Sequence, residues 1–248
     1  MEWSDDAIVL SLRTHGETSG ILEALTRTHG RHLGLVRGGS SSRGRAVLQP
    51  GNRVKLTWRA RLSEHLGNFT VELARSRAQD MFEERASLAG LNALAAIAGA
   101  ALPEREPHEA AYDGADTLLD MIAAHEFADW APLFVRWEIG LLNELGFGLD
   151  LARCAATGSA DDLIYVSPRT GRAVSREAGE PYRTRLLGLP AFLLGRQAGE
   201  ASGGDLLAGL QLTSHFLEQW VLTPHDRAMP EARIRLTDLA ARAISESE

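Results

Sequence analysis

Five short apolar runs, separated by glycine-containing turns, fill the first 80 residues and constrain the fold more than any other feature. They cover residues 7–13, 19–28, 32–37, 52–62 and 68–74. In the fourth run, NRVKLTWRARL, basic and apolar side chains alternate with the period of two that a half-buried strand requires. Five strands at this spacing predict a small closed barrel of the OB type, a scaffold that commonly presents single-stranded nucleic acid on one curved face.

After residue 80 the apolar spacing changes to the three or four residues of an amphipathic helix. Asp80 and Glu83 resemble a capping box at the start of the first helix, and Pro103 ends that helix. Further helices are predicted over residues 109–125, 129–145, 183–194, 205–222 and 231–244. The second part of the chain is therefore predicted to be a helical bundle.

The predicted fold class is α+β, with two domains. An N-terminal five-stranded OB-type β-barrel covers residues 1–79, and an all-α helical domain covers residues 80–248. A polar, glycine-containing excursion at about 147–182 interrupts the helices. Two short apolar runs inside it, 163–166 and 173–175, predict a small hairpin.

Charge is distributed unevenly along the chain. The first 80 residues carry 12 Lys+Arg against 8 Asp+Glu, and the other 168 carry 14 against 25, so the net charges are +4 and −11. Residues 24–63 contain no acidic side chain at all. The basic side chains of that stretch number nine: Arg27, Arg31, Arg37, Arg43, Arg45, Arg53, Lys55, Arg59 and Arg61. This asymmetry favours a polyanion-binding module joined to an acidic one.

Nucleic acid is the polyanion that an OB-type barrel with such a basic face most often binds. We predict that these nine residues contact nucleic acid through its phosphates, so that affinity falls steeply with salt and depends little on base sequence. The alternative is a solvated basic face without a ligand. Trp58 alternates with core residues and is predicted to be buried. Trp3 and Phe69 remain as candidate base-stacking residues of the barrel.

The segment GGSSSRGRAVLQPG at residues 38–51 lies between the third and fourth runs. A nucleotide-binding loop is disfavoured, because Gly44 is followed by Arg45 and Ala46 instead of Lys and Ser or Thr. A flexible basic loop over the barrel mouth is the favoured interpretation. A plain solvated loop is the other alternative.

Catalytic and metal-binding patterns are weak in this chain. The eight histidines show no His-x-x-x-His or HExxH spacing, and the nearest pair, His29 and His32, fits the basic surface better than a metal site. No Gly-x-Ser-x-Gly elbow is present, and no base can be assigned to Cys154. We therefore predict a protein that is not an enzyme, with no catalytic residue, no metal and no cofactor.

The compartment can be inferred from cysteine content and apolar runs. A single cysteine, Cys154, permits no internal disulfide and is typical of a reducing cytoplasm. The N-terminus begins acidic, so a secretory signal is not expected. The longest apolar stretch, residues 88–102, is shorter than the roughly 20 residues that cross a bilayer. We expect a cytoplasmic, nucleoid-associated protein with no membrane partner.

Three stretches carry a family resemblance. ILEALTRTHGRHLGLVRGG at 21–39 and SSSRGRAVLQPGNRV at 40–54 resemble the N-terminal barrel of the RecO recombination-mediator family, including its glycine turn and basic loop. FVRWEIGLLNELGFGLDLARCAATG at 134–158 resembles the central helix of the same family and the cysteine that follows it. The resemblance covers most of the chain.

What this resemblance implies is a non-enzymatic DNA repair and recombination protein. Such a protein binds single- and double-stranded DNA, anneals complementary strands, joins RecR and helps to load RecA on DNA coated with single-strand-binding protein. The basic strand and loop match the DNA-binding surface of the family, so the resemblance implies DNA contacts by Arg37, Arg43, Arg45, Arg53, Lys55, Arg59 and Arg61. The resemblance also implies that Arg136 contacts the acidic C-terminal tail of single-strand-binding protein.

The chain departs from the family pattern in the excursion. Many relatives hold zinc there with four cysteines, whereas here Thr157 follows Cys154 at the expected spacing and Ser175 stands where the second pair would begin. We therefore expect no zinc, and a hairpin held by packing. Two other classes of protein remain as alternatives: an RNA-binding OB-fold protein, because phosphate contacts do not separate RNA from DNA, and a nuclease or nucleotide hydrolase.

Overall fold

A computed structural model describes residues 1–77, 81, 84–195 and 201–245. The chain divides into two compact units, Met1–His125 and Glu126–Glu248. The first unit contains a β-barrel, one short helix and two long helices. The second unit contains the later helices and a three-stranded sheet. The predicted domain boundary near residue 80 stays a prediction.

Five strands close the barrel in the order β1-β2-β3-β5-β4. They are β1 (Glu2–His15), β2 (Ser19–Thr26), β3 (Gly30–Val36), β4 (Arg53–Arg59) and β5 (Asn68–Arg75). All neighbouring strands are antiparallel except β3 and β5, which are parallel and pair at Leu35 and Asn68. The predicted fold class, an OB-type barrel followed by helices, is confirmed.

Alternation in β4 determines which side chains form the barrel core. Val54, Leu56 and Trp58 point inward and are at most 2% exposed, as the sequence predicted. Lys55 and Arg59 point outward and are exposed. Because successive strand residues face opposite sides, the basic and apolar halves of the sequence pattern become the two faces of the strand.

Strand β1 is longer than the sequence predicted. Its first part was missed because most residues there are polar and show no apolar alternation. This N-terminal part pairs with β4 from Glu2 opposite Arg59 to Ile8 opposite Arg53. The later part pairs with β2, with a register shift between Val9 and Ser11. The extra length matters because it lays acidic side chains beside the basic strand.

A short helix, α1 (Ser42–Val47), replaces part of the basic loop that the sequence predicted. Ser41 caps its start by accepting a hydrogen bond from the Gly44 amide. The Asn52 side-chain amide donates to the carbonyls of Ala46 and Val47 at 3.1 Å each, so the C-terminal end is also held. The prediction of a flexible loop was wrong for this part of the segment.

The two long helices of the first unit are α2 (Arg85–Ala101) and α3 (Glu109–Ala124). Glu84 caps α2 by accepting hydrogen bonds from the Ala86 and Ser87 amides. The capping box predicted at residues 80 and 83 lies outside the described residues. Arg77, 1% exposed, connects the barrel to α3 through ion pairs of 2.7 Å to Asp116 and 2.6 Å to Asp120.

The second unit is built mainly from three long helices, α4 (Phe127–Glu144), α6 (Gly203–Phe216) and α7 (Glu231–Ser245). The predicted helix at 205–222 changes into a π-helix at Leu217–Leu222. The helix predicted over 183–194 was wrong: the chain forms 3₁₀ turns at Glu180–Arg185 and Ala191–Leu194. A two-residue strand, β8 (Leu187–Gly188), lies between them, and Pro190 precedes the second turn.

The predicted hairpin of the excursion is formed by β6 (Leu163–Val166) and β7 (Ala173–Ser175), with β8 as a third strand on β6. A four-residue helix, α5 (Arg176–Gly179), follows it. No helix in the described ranges is long and apolar enough to span a membrane.

Candidate nucleic-acid interface

The outward face of β4 is less cationic in space than in sequence. Its neighbour β1 places Glu2 opposite Arg59 and Asp6 opposite Lys55, and β5 places Glu72 on the other side of Lys55. Arg59 forms an ion pair of 2.7 Å with Glu2, and this hydrogen bond lowers the pKa of the Glu2 carboxyl. Residues 24–63 are free of acid, but strands from outside that stretch bring acid next to it.

Four of the nine predicted DNA-binding residues are paired with carboxylates. Arg53 forms ion pairs of 3.3 Å with Asp6 and 3.1 Å with Asp116. The other three pairs are Arg59 with Glu2, Arg27 with Asp113 at 3.0 Å, and Arg31 with Glu23 at 2.6 Å. A cation that already has a carboxylate partner gains less from a phosphate, because that partner must be displaced or shared.

Arg31 is buried and its side chain contributes to packing instead of facing solvent. It is 8% exposed, and its Nε donates to the carbonyl of Leu102 at 2.8 Å. Its main-chain carbonyl accepts a hydrogen bond of 2.8 Å from the Arg105 amide. Arg31 therefore holds the segment after α2 against the barrel, and its buried guanidinium is directed away from solvent.

The other five predicted residues, Arg37, Arg43, Arg45, Lys55 and Arg61, are exposed. None of them forms an ion pair with any residue that the structure describes. The Nε of Arg45 donates to the carbonyl of Ser40 at 2.9 Å, which orients that side chain along α1. These five cations are the ones most readily available to an anionic ligand.

A groove of about 790 Å³ on the barrel brings three of the nine residues together: Arg37, Arg43 and Arg59. Its walls are the end of β3, helix α1, the end of β4 and the first part of β5. No acidic side chain is among the described residues that line it. Arg27, Arg31, Arg45, Arg53, Lys55 and Arg61 lie outside this lining.

Gly44 allows α1 to form this wall. A Cβ at residue 44 would lie 2.4 Å from the carbonyl oxygen of Gly38, so any side chain there would push α1 away from the turn. The spacing of glycines in GGSSSRG was visible in the sequence as a turn signal. What the sequence did not reveal is that these glycines place Arg43 over a groove.

The floor of the groove is apolar, and this feature was missed in the sequence apart from Phe69. It consists of Val36, Val47, Leu48, Phe69 and Val71. Phe69 is 5% exposed, so most of its ring lies in the barrel core. Trp3, the other candidate stacking residue, lies outside the groove lining and stacks on His29 with a centroid separation of 4.1 Å.

Arg136 lies on α4 in the second unit, at a separate and smaller cavity of about 390 Å³. The cavity is lined by Arg136, Ile139, Leu151, Phe192, Leu193 and Gly195. The Nη2 of Arg136 donates to the carbonyl of Phe192 at 2.7 Å, which fixes the guanidinium at the edge of the cavity. One cation at the edge of an apolar cavity suits a peptide that is both acidic and apolar.

Cys154 contacts the two residues that stand in place of further cysteines in the excursion. Its Sγ accepts hydrogen bonds from the amide and the hydroxyl of Ser175, at 3.3 and 3.4 Å. Burial raises the pKa of this thiol, but the hydrogen bonds from Ser175 and Thr157 outweigh burial and lower it to about 6. The Ala155 amide also donates to the Ala173 carbonyl at 2.8 Å, so hydrogen bonds join this loop to β7.

No three His, Cys, Asp or Glu side chains in the described part of the chain are grouped so that they could hold a metal ion. Cys154 is the single cysteine of the chain and forms no disulfide within it. The predicted absence of a metal stays a prediction.

Two family models match the chain in sequence. The model described as Recombination protein O N terminal matches residues 1–77, and the one described as Recombination protein O C terminal matches residues 83–227. Together they cover the barrel, the helices of the first unit and most of the second unit. The N-terminal model matches the first part of the chain and the C-terminal model matches the part that follows it.

Curated relatives match over nearly the whole length. A protein of Rhodospirillum centenum named DNA repair protein RecO is 53% identical over 249 residues, covering 100% of this chain and 98% of the relative. Proteins of the same name from Caulobacter vibrioides and Phenylobacterium zucineum are each 51% identical over 243 residues, covering 98% of this chain and 99% of each relative. These matches confirm the resemblance found in the sequence, and the chain belongs to the RecO family of DNA repair proteins.

Proposed function

We propose that this chain binds single- and double-stranded DNA with its barrel and anneals complementary strands, acting as a recombination mediator without catalytic residues. The observation that carries the proposal is the groove lined by Arg37 and Arg43, which are exposed and form no ion pair with any described residue, and by Arg59, which pairs with Glu2. Family membership supports the rest of the proposal. In it, the protein works in the cytoplasm on the nucleoid, joins RecR, and helps to load RecA on DNA coated with single-strand-binding protein.

Phosphate contacts by these arginines determine how binding responds to salt. Each phosphate that a cation neutralises releases condensed counterions. The logarithm of affinity therefore falls linearly with the logarithm of salt concentration, and the slope is proportional to the number of phosphate contacts. The exposed cations outside the groove, Arg45, Lys55 and Arg61, add to the field that attracts a strand. Base identity contributes little to such contacts.

The variants Arg37→Gln and Arg43→Gln are each expected to weaken binding of a labelled single-stranded oligonucleotide about tenfold near 0.1 M salt, because each loses one phosphate contact. Each should also reduce the salt slope by about 1. Fluorescence anisotropy at several salt concentrations measures both quantities. Arg75→Gln is the matched control, since Arg75 is exposed, pairs with Asp120, lies outside the groove and is not among the nine predicted contacts. Equal losses in the control and the groove variants would reject the groove.

Annealing separates the proposal from the two alternatives. Complementary strands coated with single-strand-binding protein should anneal faster in the presence of the protein, and the effect should fade as salt rises. A strong preference for RNA over DNA of matched sequence would favour the RNA-binding alternative. Release of nucleotides or phosphate by pure protein with magnesium would favour the alternative of a nuclease or nucleotide hydrolase.

We propose in addition that the cavity at Arg136 receives the acidic C-terminal tail of single-strand-binding protein. The observation that favours this partner is one fixed cation beside Ile139, Leu151 and Phe192. The cation matches the negative charge of such a tail, and the apolar wall could receive any apolar side chain that the tail carries.

Arg136→Gln is expected to weaken binding of a labelled tail peptide about five- to tenfold, because glutamine stays polar but removes the charge. Titration of the peptide, followed by anisotropy, measures the loss. Arg183→Gln is the control in the same unit, since Arg183 is exposed and paired with Glu180. DNA binding should be unchanged in both variants. An unaltered peptide affinity in Arg136→Gln would contradict this partner.

A further inference from the structure

Helix α3 turns an acidic face toward the barrel. Asp113, Asp116 and Asp120 are three or four residues apart, so they follow one another along one side of the helix. Each forms at least one ion pair of 2.6 to 3.1 Å with an arginine of the first unit: Arg27, Arg53, Arg75 or Arg77. Arginine binds carboxylates and phosphates with the same donors, so α3 offers these arginines the same kind of partner as a nucleic acid does.

The three carboxylates are not held equally. Asp116 and Asp120 both bind Arg77, whose side chain is 1% exposed, so this buried arginine anchors α3 to the barrel. Asp113 lies outside that network, and its one ion-pair partner among the described residues is Arg27. The side chains of Asp113 and Arg27 are 53% and 48% exposed, and such pairs are weak because water screens both charges. The Arg27–Asp113 pair can therefore open while α3 stays in place.

Arg27 lies on a turn whose backbone is fixed. Its amide donates to the Asp6 carbonyl at 3.0 Å, and the amide of Thr28 donates to the Asp5 carboxylate at 2.7 Å. Strand β3 runs from this turn to the groove, and its seven residues cover about 20 Å. A nucleic-acid strand confined to the groove does not reach Arg27, whereas a longer one can follow the barrel to it.

We propose that Asp113 is an internal competitor, which occupies Arg27 in the free protein and yields it to a phosphate when a nucleic-acid strand extends from the groove along the barrel. This inference rests on the proposed function and adds to it a contact that limits the binding of long strands. Binding of a long strand carries the cost of breaking the Arg27–Asp113 pair. A short strand that fills the groove alone leaves the pair closed.

The first test uses strands of two lengths. Asp113→Asn keeps the shape of the side chain but removes its charge. A labelled oligonucleotide of about 16 nucleotides is expected to bind the variant about two- to fivefold more tightly than the wild type at about 0.1 M salt, since that range matches the strength of exposed ion pairs. An oligonucleotide of about 4 nucleotides should bind both proteins equally. Fluorescence anisotropy measures both affinities, and an unchanged affinity for the long strand would overturn the inference.

The second test measures whether the gain depends on Arg27. In a chain that already carries Arg27→Gln, adding Asp113→Asn should change the affinity for the long strand little, because the cation that it would release is gone. Glu109→Gln is the matched control on the same helix. The hydrogen bond and charge of Asp113 raise the pKa of Arg27 and the charge of Glu109 adds to them, but Glu109 forms no ion pair with any described residue. A gain of full size without Arg27, or an equal gain in Glu109→Gln, would reflect net charge alone and overturn the inference.

Failure of this inference and failure of the proposed function have different signatures. If Arg37→Gln and Arg43→Gln weaken binding while Asp113→Asn leaves the affinity for the long strand unchanged, the groove stands as the DNA site and the competitor is rejected. If Arg37→Gln and Arg43→Gln leave binding of both strands unaltered, the groove is not the DNA site, and the inference is overturned together with it.

Discussion

Replacing Arg233 with methionine is expected to lower the free energy of unfolding of the second unit by about 3–5 kcal/mol, because the variant leaves a buried carboxylate without its cation. Arg233 in α7 and Glu138 in α4 are both 0% exposed, and their closest atoms are 2.6 Å apart. Arg233 also donates to the Leu210 carbonyl and the Thr213 hydroxyl of α6, at 3.0 and 3.1 Å. One guanidinium therefore joins three helices.

Arg235→Met is the matched control, because it changes the same residue type on the same helix. Arg235 is 75% exposed and lies 4.0 Å from Glu231, so its removal should cost less than about 0.5 kcal/mol. Denaturant unfolding, followed by tryptophan fluorescence, gives both values; Trp130 and Trp137 are buried in this unit. Similar costs for the two variants would contradict the structural role of the buried pair.

A double variant separates the burial of charge from the loss of packing. Glu138→Leu combined with Arg233→Met removes both charges and keeps apolar volume at both positions. It should recover most of the stability that Arg233→Met loses, since paired apolar residues often replace a buried ion pair at little cost. No recovery would mean that the hydrogen bonds to α6 carry the effect.

Gly30→Ala is the second change with a large expected effect, about 2–5 kcal/mol on the stability of the first unit. Gly30 has φ +70°, which costs a residue with a Cβ about 1–2 kcal/mol. The added Cβ would also lie 2.1 Å from the carbonyl oxygen of Glu106, so main chain has to move. That segment is held to the barrel by the hydrogen bond from the Arg105 amide to the Arg31 carbonyl, and forced displacement of packed groups costs about 1–3 kcal/mol.

Gly16→Ala isolates the backbone part of that cost. Gly16 has φ +65°, and a Cβ there would meet nothing within 4 Å. The control is therefore expected to lose about 1–2 kcal/mol, all of it from the left-handed conformation. Urea unfolding of both variants should show Gly30→Ala to be the more costly by at least about 1 kcal/mol. Equal losses would show that the neighbouring segment yields without strain.

The barrel could be predicted from the sequence because its signal is local. Val54, Leu56 and Trp58 alternate with polar residues, and burial of one face follows directly from that period. Helix α1 could not be predicted in the same way. Its six residues, SRGRAV, include a glycine and have no periodic apolar face, and it depends on a tertiary contact from Asn52.

The charge of the candidate site shows the limit of a one-dimensional pattern. Arg53 and Asp116 are 63 residues apart in sequence but 3.1 Å apart in space, so no local window reveals the pair. Arg37 and Arg43 belong to the acid-free stretch visible in the sequence and are exposed in the structure, whereas the apolar side chains beside them in the groove come from separate parts of the chain. Sequence identified the cations of the groove, and strand pairing determined which of them meet.

Under the proposed function, the hydrogen bonds of Asn52 have a kinetic consequence for the binding of a DNA strand. Asn52 is 0% exposed, holds the last carbonyls of α1 with its amide nitrogen and accepts the Arg77 amide at 2.9 Å with its oxygen. Fixing the backbone of a mobile loop costs about 1–2 kcal/mol per residue, and a wall that is already in place spares the arriving strand that entropy. The groove is thus preorganised, and encounter with DNA should be limited by diffusion and salt instead of by folding of the wall.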